Sequence, residues 1–163
     1  MKIYLIGMPG SGKTTLGRAL AEKLELLFID LDAEIERLEQ QSIDQIFALK
    51  GEPFFRQAEA AVLRQVSKAH ASFVMATGGG TPCFYDGIEF MNSMGITVFL
   101  NVPVNILAER LSNSETIRPL FQKTANINET LNQLQSARLK FYTQAMHQVA
   151  EPDVHKLIQL VKT

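Results

Sequence analysis

Residues 7–14 read GMPGSGKT, the pattern G-x-x-x-x-G-K-[ST]. The apolar run Ile3–Ile6 precedes it and a helical pattern opens at Lys13. Few local sequences constrain a fold so tightly. A strand, a glycine-rich turn and a helix in that order gather main-chain N–H groups and a positive helix end around one point, which makes an anion cradle. Gly7, Gly10 and Gly12 let the backbone turn inward with no Cβ in the way. Gly10, Ser11, Gly12, Lys13, Thr14 and Thr15 are therefore expected to surround nucleotide phosphates. Lys13 would reach the β- and γ-phosphates, and the Thr14 hydroxyl would hold a metal ion. ATP and Mg²⁺ are the expected ligands. No N-K-x-D stretch is present to read guanine, and the chain is short for an ATPase motor. A small-molecule kinase fits best.

The rest of the chain supports a cytoplasmic protein built as one domain over residues 1–163. Sixteen basic residues nearly balance seventeen acidic ones, which argues against nucleic-acid binding by bulk charge. Cys83 is the only cysteine, so no internal disulfide can form and a reducing compartment is favoured. No apolar run approaches the roughly 20 residues of a membrane span, so no membrane partner is expected.

Short apolar runs alternate with longer amphipathic ones. Strands are predicted at Ile3–Ile6, Leu26–Asp30, Phe73–Thr77 and Thr97–Asn101, with a weaker fifth at Gln148–Ala150. Helices are predicted at Lys13–Glu25, Asp32–Gln40, Ile43–Leu49, Glu52–Ala69, Tyr85–Met94, Val104–Leu111, Ile127–Met146 and Asp153–Val161. The alternation predicts an α/β fold of three layers: a central parallel sheet of about five strands with helices on both faces. Ligands bind such sheets at the carboxyl ends of the strands. The polar segment Ser112–Asn128 lacks a period and carries Pro119; a loop of that length suits a lid.

Three further features belong to the carboxyl edge. Asp30 and Asp32, in FIDLD, suit a metal ion and an acceptor hydroxyl, with Leu31 turned away by strand alternation; alternatively Asp32 is simply the N-cap of the following helix. Gly78, Gly79 and Gly80 admit close approach to the backbone, or else form a flexible turn. Arg56, Arg118 and Arg138 are candidate anion grips, each with a plain surface role as the alternative. Arg110 reads as a solvated helix end and Cys83 as a small loop residue.

The combination of GMPGSGKTTLGRALA, FIDLDAEIE, SIDQIFALKGEPFFRQAE, ATGGGTP, IRPLF and SARLKFY resembles the shikimate kinase family along nearly the whole chain. The resemblance implies a monomeric, ATP-dependent kinase with a nucleoside-monophosphate-kinase-like fold that phosphorylates the 3-hydroxyl of shikimate. It implies that Asp32 binds and helps deprotonate the acceptor hydroxyl. Arg56 and Arg138 would clamp the substrate carboxylate, and Gly78, Gly79 and Gly80 would offer N–H groups. Lys13 and Arg118 would stabilise the transferred phosphoryl group, with Thr14 and Asp30 at Mg²⁺. Phe47 and Phe55 would wall the ring, and Glu59 would brace Arg56. The resemblance also implies a lid at about 112–126 and a substrate-binding helical segment at about 32–62. One departure is the compressed stretch HQVAEPDVHKLIQLV, where the family partly holds adenine; no adenine-binding residue carries over there, and Arg110 is the one alternative for stacking. A gluconate-type kinase and a nucleotide-binding regulator without turnover are the competing functions.

Overall fold

The computed structural model describes residues 1–113 and 126–163. Arg118, and all but the ends of the expected lid, lie outside the described residues.

Strand β1 (Lys2–Ile6) leads through the glycine loop into α1 (Lys13–Leu24), then β2 (Leu27–Asp30), α2 (Leu31–Glu39), α3 (Ile43–Ala69) and β3 (Phe73–Ala76). A 3₁₀ turn (Thr81–Cys83) and α4 (Gly87–Met94) precede β4 (Ile96–Leu100) and α5 (Val104–Ser112). The chain ends with α6 (Ile127–Tyr142), β5 (His147–Val149) and α7 (Val154–Val161). The five strands are all parallel, in the order 2-3-1-4-5. The predicted sheet and its short fifth strand are present.

Strand alternation builds both sides of the core. Ile3 and Leu5 of β1 face Leu20 and Ala21 of α1 and Leu157 and Val161 of α7. Tyr4 and Ile6 face the opposite layer, which includes Ile46, Leu63, Met91, Leu107 and Tyr142. A strand covered on both faces is apolar wherever it is buried, which is why Ile3–Ile6 of β1 and all of β3 read as hydrophobic runs. The Tyr4 hydroxyl is accommodated in that core by donating to Ser67 Oγ at 2.8 Å.

The two helices predicted across residues 43–69 are present as the two halves of α3, separated at Gly51, whose φ of 80° and ψ of 169° are not helical. Ser42 caps the start of α3 in a reciprocal box with Gln45. Pro53 falls in the first turn after the break, where its missing N–H costs nothing. The predicted helix starting at Tyr85 begins instead at Gly87, because Tyr85 and Asp86 adopt left-handed backbone (φ 50° and 54°). The predicted Ile127–Met146 helix stops at Tyr142, and Met146 N–H then donates to Thr97 Oγ1 beside β4.

Gly95 joins α4 to β4 with an extended φ of −177°, so its backbone suits any residue. Space is what it lacks: an added Cβ would run into the main-chain oxygen of Lys2. Gly95→Ala is expected to cost about 2–3 kcal/mol, read as a lower denaturation midpoint in urea at unchanged slope.

Candidate active site

A cavity of about 580 Å³ opens at the carboxyl ends of β1, β2 and β3. It is lined by Gly10, Ser11, Gly12, Lys13, Thr14 and Thr15 on one side and by Asp30 and Asp32 on the other. Gly10 and Gly12 have φ of 81° and 95°, backbone that a side chain would strain. The loop thus curls around the start of α1, as the sequence predicts.

Lys13 is almost wholly buried. Its ammonium donates to the carbonyls of Gly7 (2.7 Å) and Met8 (2.8 Å), so it is folded onto its own loop. The Thr14 hydroxyl is 3.4 Å from Asp30 Oδ2. Asp30 Oδ1 accepts from Ala33 N–H at 3.2 Å. The alternative reading of Asp32 as the N-cap does not hold: Asp30 is the cap of α2. Leu31 already belongs to that helix, so helical geometry rather than strand alternation brings Asp32 to the cavity.

No group of three or more His, Cys, Asp or Glu side chains able to hold a metal occurs among the described residues. One carboxylate and one hydroxyl nevertheless suit Mg²⁺, which commonly takes one or two protein oxygens and completes its shell with phosphate and water. Thr14 and Asp30 fit that donor set.

The glycines after β3 lie beneath charged side chains. A Cβ at Gly78 would sit 2.8 Å from Glu59 Oε2 and 3.3 Å from Asp32 Oδ1. One at Gly79 would sit 2.7 Å from Arg138 Nη1 and 3.1 Å from Pro9 Cδ, and one at Gly80 would sit 2.5–2.7 Å from the Arg56 guanidinium. None of the three has positive φ. These glycines serve close approach, not a left-handed turn, and the groups that approach are side chains of α2, α3 and α6.

Arg56 is 5% exposed. Its Nη1 donates to Glu59 Oε1 at 3.0 Å and its Nε to Glu52 Oε1 at 3.3 Å. The Phe84 and Phe55 rings lie 4.4 and 5.1 Å from its guanidinium carbon. Glu59 Oε2 accepts from the Thr81 hydroxyl at 2.8 Å. Burial pushes the Glu59 carboxyl up, and Arg56 beside it pulls it partly back. Arg138 is also buried, and its Nη1 has no hydrogen-bond partner among the described residues. Such an atom asks for an acceptor from outside. Phe47 and Phe55 form a tilted ring pair with centroids 4.8 Å apart.

Sequence reasoning missed several contributors. Glu52 and Phe84 hold Arg56, and Thr81 holds its partner Glu59, but they sit in a short turn and a helix start with no distinctive local pattern. Arg110, read first as a solvated helix end and otherwise as a residue for stacking on adenine, donates from Nη1 to Gly10 O at 3.0 Å and lines the cavity. Pro152, in the compressed C-terminal stretch, also lines it. No local signal marks that proline.

A parallel sheet in the order 2-3-1-4-5 with a phosphate cradle after its central strand defines a P-loop kinase of the nucleoside-monophosphate-kinase-like fold. The family model described as shikimate kinase matches residues 9–161. The shikimate kinase of Bacteroides thetaiotaomicron is 42% identical over 149 residues, covering 90% of this chain and 85% of that protein. A crystal structure of shikimate kinase from the same organism superposes with a TM-score of 0.93 at 38% identity, covering 100% of this chain and 99% of that one. Shikimate kinase from Acinetobacter baumannii, in complex with shikimate, gives a TM-score of 0.91 at 36% identity over 99% of this chain and 92% of that one. The chain belongs to the shikimate kinase family.

Cys83 lies beside this site without the character of a nucleophile. Burial pushes its thiol up to about 11, and the Arg138 and Arg56 guanidinium groups offset only part of that. A free thiol near 8.5 is about one quarter thiolate at pH 8, so Cys83 is expected to alkylate with iodoacetamide more than about a hundredfold more slowly than a cysteine peptide. The rate should climb about tenfold per pH unit between pH 8 and 10 while the fold persists.

Proposed function

We propose that this member of the shikimate kinase family transfers the γ-phosphoryl group of ATP to the 3-hydroxyl of shikimate, giving shikimate 3-phosphate for aromatic amino-acid biosynthesis. The observation that carries the reading is the meeting of two buried arginines, Arg56 and Arg138, over a bare glycine loop that also touches Asp32. Asp32 in turn lines the phosphate cavity. A small molecule bearing a carboxylate at one end and a hydroxyl at the other suits that span. The A. baumannii relative, solved with shikimate bound, supports the choice of substrate.

Each residue's task follows from its chemistry. Guanidinium groups recognise a carboxylate through paired N–H donors, which a lysine cannot reproduce. Arg56 is held on Nε by Glu52 and on Nη1 by Glu59, which leaves Nη2 to meet the substrate beside Arg138 Nη1. Phe47 and Phe55 wall the ring. Asp32 orients the acceptor hydroxyl and takes its proton as the new P–O bond forms. The main-chain N–H groups of the cradle and the Lys13 ammonium hold the phosphates. Mg²⁺, when bound, neutralises charge on the phosphate oxygens; Thr14 and Asp30 would hold it. Arg110 and Pro152 flank the cavity where the nucleotide base would extend. Arg118, in the stretch that matches the family's lid motif, is assigned to the transferred phosphoryl group. The helical segment at about 32–62 carries most of the acceptor grip, and the enzyme acts as a cytoplasmic monomer. Catalysis of this kind rests on positioning and electrostatic stabilisation, not on a covalent intermediate.

A coupled assay for ADP release tests the proposal directly. Turnover is expected with shikimate and not with gluconate; no turnover at millimolar shikimate would overturn it, and ATP binding without phosphotransfer would favour a regulator. Arg56→Lys is expected to weaken shikimate binding by about 1.5–3 kcal/mol while ATP binding persists, both read by calorimetry. Wild-type shikimate affinity in that variant would remove Arg56 from the clamp.

A further inference from the structure

Tyr142 stands one helical turn beyond Arg138 on α6 and is fully buried. Its ring is stacked at a tilt on Phe99, with centroids 5.0 Å apart. Its hydroxyl has one proton to give and two acceptors within reach, the Gly79 carbonyl oxygen at 2.6 Å and the Met8 sulfur at 3.7 Å, while the Arg138 side chain donates toward the phenol oxygen. The short oxygen contact takes the proton, since the sulfur is a weak acceptor at longer range. Arg138 Nη1 lies over the same glycine. One helix therefore grips Gly79 twice, once by a charge and once by a phenol.

The phenol's grip has a consequence on the other side of the peptide. The structure contains no cis peptide bond among the described residues. In a trans peptide the carbonyl and the N–H point in opposite directions. With the Gly79 carbonyl held to Tyr142, the Gly80 N–H is directed away from it. No main-chain carbonyl among the described residues accepts that N–H. The Arg56 guanidinium lies against the same Gly80.

We propose that Tyr142 is a positioning residue: its hydroxyl locks the Gly79–Gly80 peptide so that the Gly80 N–H, beside Arg56 and Arg138, donates to an oxygen of the acceptor substrate. This role rests on the shikimate reading above. Burial pushes the Tyr142 phenol well above the ordinary tyrosine range, so the lock stays protonated at every pH at which the enzyme would work.

The test uses a labelling pattern that the sequence itself provides. The chain has ten glycines, and only Gly79 and Gly80 follow another glycine. Labelling glycine with ¹³C at the carbonyl and ¹⁵N at the amide leaves those two amides alone in a carbonyl-correlated spectrum. Adding shikimate to the wild type is expected to shift the Gly80 amide proton downfield. In Tyr142→Phe, which keeps the ring, most of that shift should vanish, and the KM for shikimate should rise about five- to tenfold. The kcat and the KM for ATP should stay within about twofold of wild type. A wild-type Gly80 amide that does not move in saturating shikimate overturns the positioning role, even if the variant fails to fold. So does a variant with wild-type KM for shikimate, or one in which kcat and both KM values worsen together with thermal stability. Wild-type turnover with an unmoved Gly80 amide sinks this role alone; absence of turnover with shikimate sinks the functional reading as well.

Discussion

The insertion of β3 between β1 and β2 is the constraint on which the site depends. Because every strand is parallel, each of these three ends at the same edge, and their outgoing loops become neighbours. The loop after β1 is the glycine-rich cradle, the end of β2 and the helix after it supply Asp30 and Asp32, and the loop after β3 supplies the bare glycines. Any other order would separate parts that have to meet within one molecule's length. The register places Asp30 opposite Ala76 and Leu5 opposite Ala76 as well, so the three chain exits begin level with one another.

On that edge the acceptor side is held by buried charge. Arg56 and Glu59 are both nearly inaccessible, with 6% and 2% of their side chains exposed. A charge buried this deeply survives only when paired, and losing one partner commonly costs about 3–5 kcal/mol. Here the pair is not free to drift, because Thr81 holds the far oxygen of Glu59 and aromatic rings lie near the guanidinium of Arg56. The same arrangement that demands exact partners also aims the unused edge of the guanidinium. On the proposed function, stability and recognition would be served by one set of contacts.

The parts legible in the sequence were those whose chemistry is local. The cradle announces itself because its glycines, lysine and threonine are consecutive, and β1 because both of its faces must be apolar. Arg56 and Glu59 share one helix three residues apart, so their pairing follows from spacing. What could not be read depends on elements that meet only in the folded chain. Tyr142 and Gly79 are 63 residues apart, and Arg110 and Gly10 are 100 apart. The role of Asp30 as helix cap was not legible, and the cap was offered only as an alternative for Asp32, because the helix begins one residue earlier than the pattern suggested. The purpose of the triple glycine was legible only as close approach; which atoms approach is a matter of three different helices.

The fold of Lys13 onto the Gly7 and Met8 carbonyls bears on how an anion would enter. An ammonium with water removed on nearly all sides has already met its dehydration cost within the apo loop. On the proposed function, a phosphate arriving there would offer oxygen for oxygen, so the lysine would exchange partners without having to shed a hydration shell. The two carbonyls it leaves must then find other donors or rotate outward. Entry of the nucleotide is in this sense a substitution reaction at a nitrogen, with the protein's own backbone as the leaving ligand.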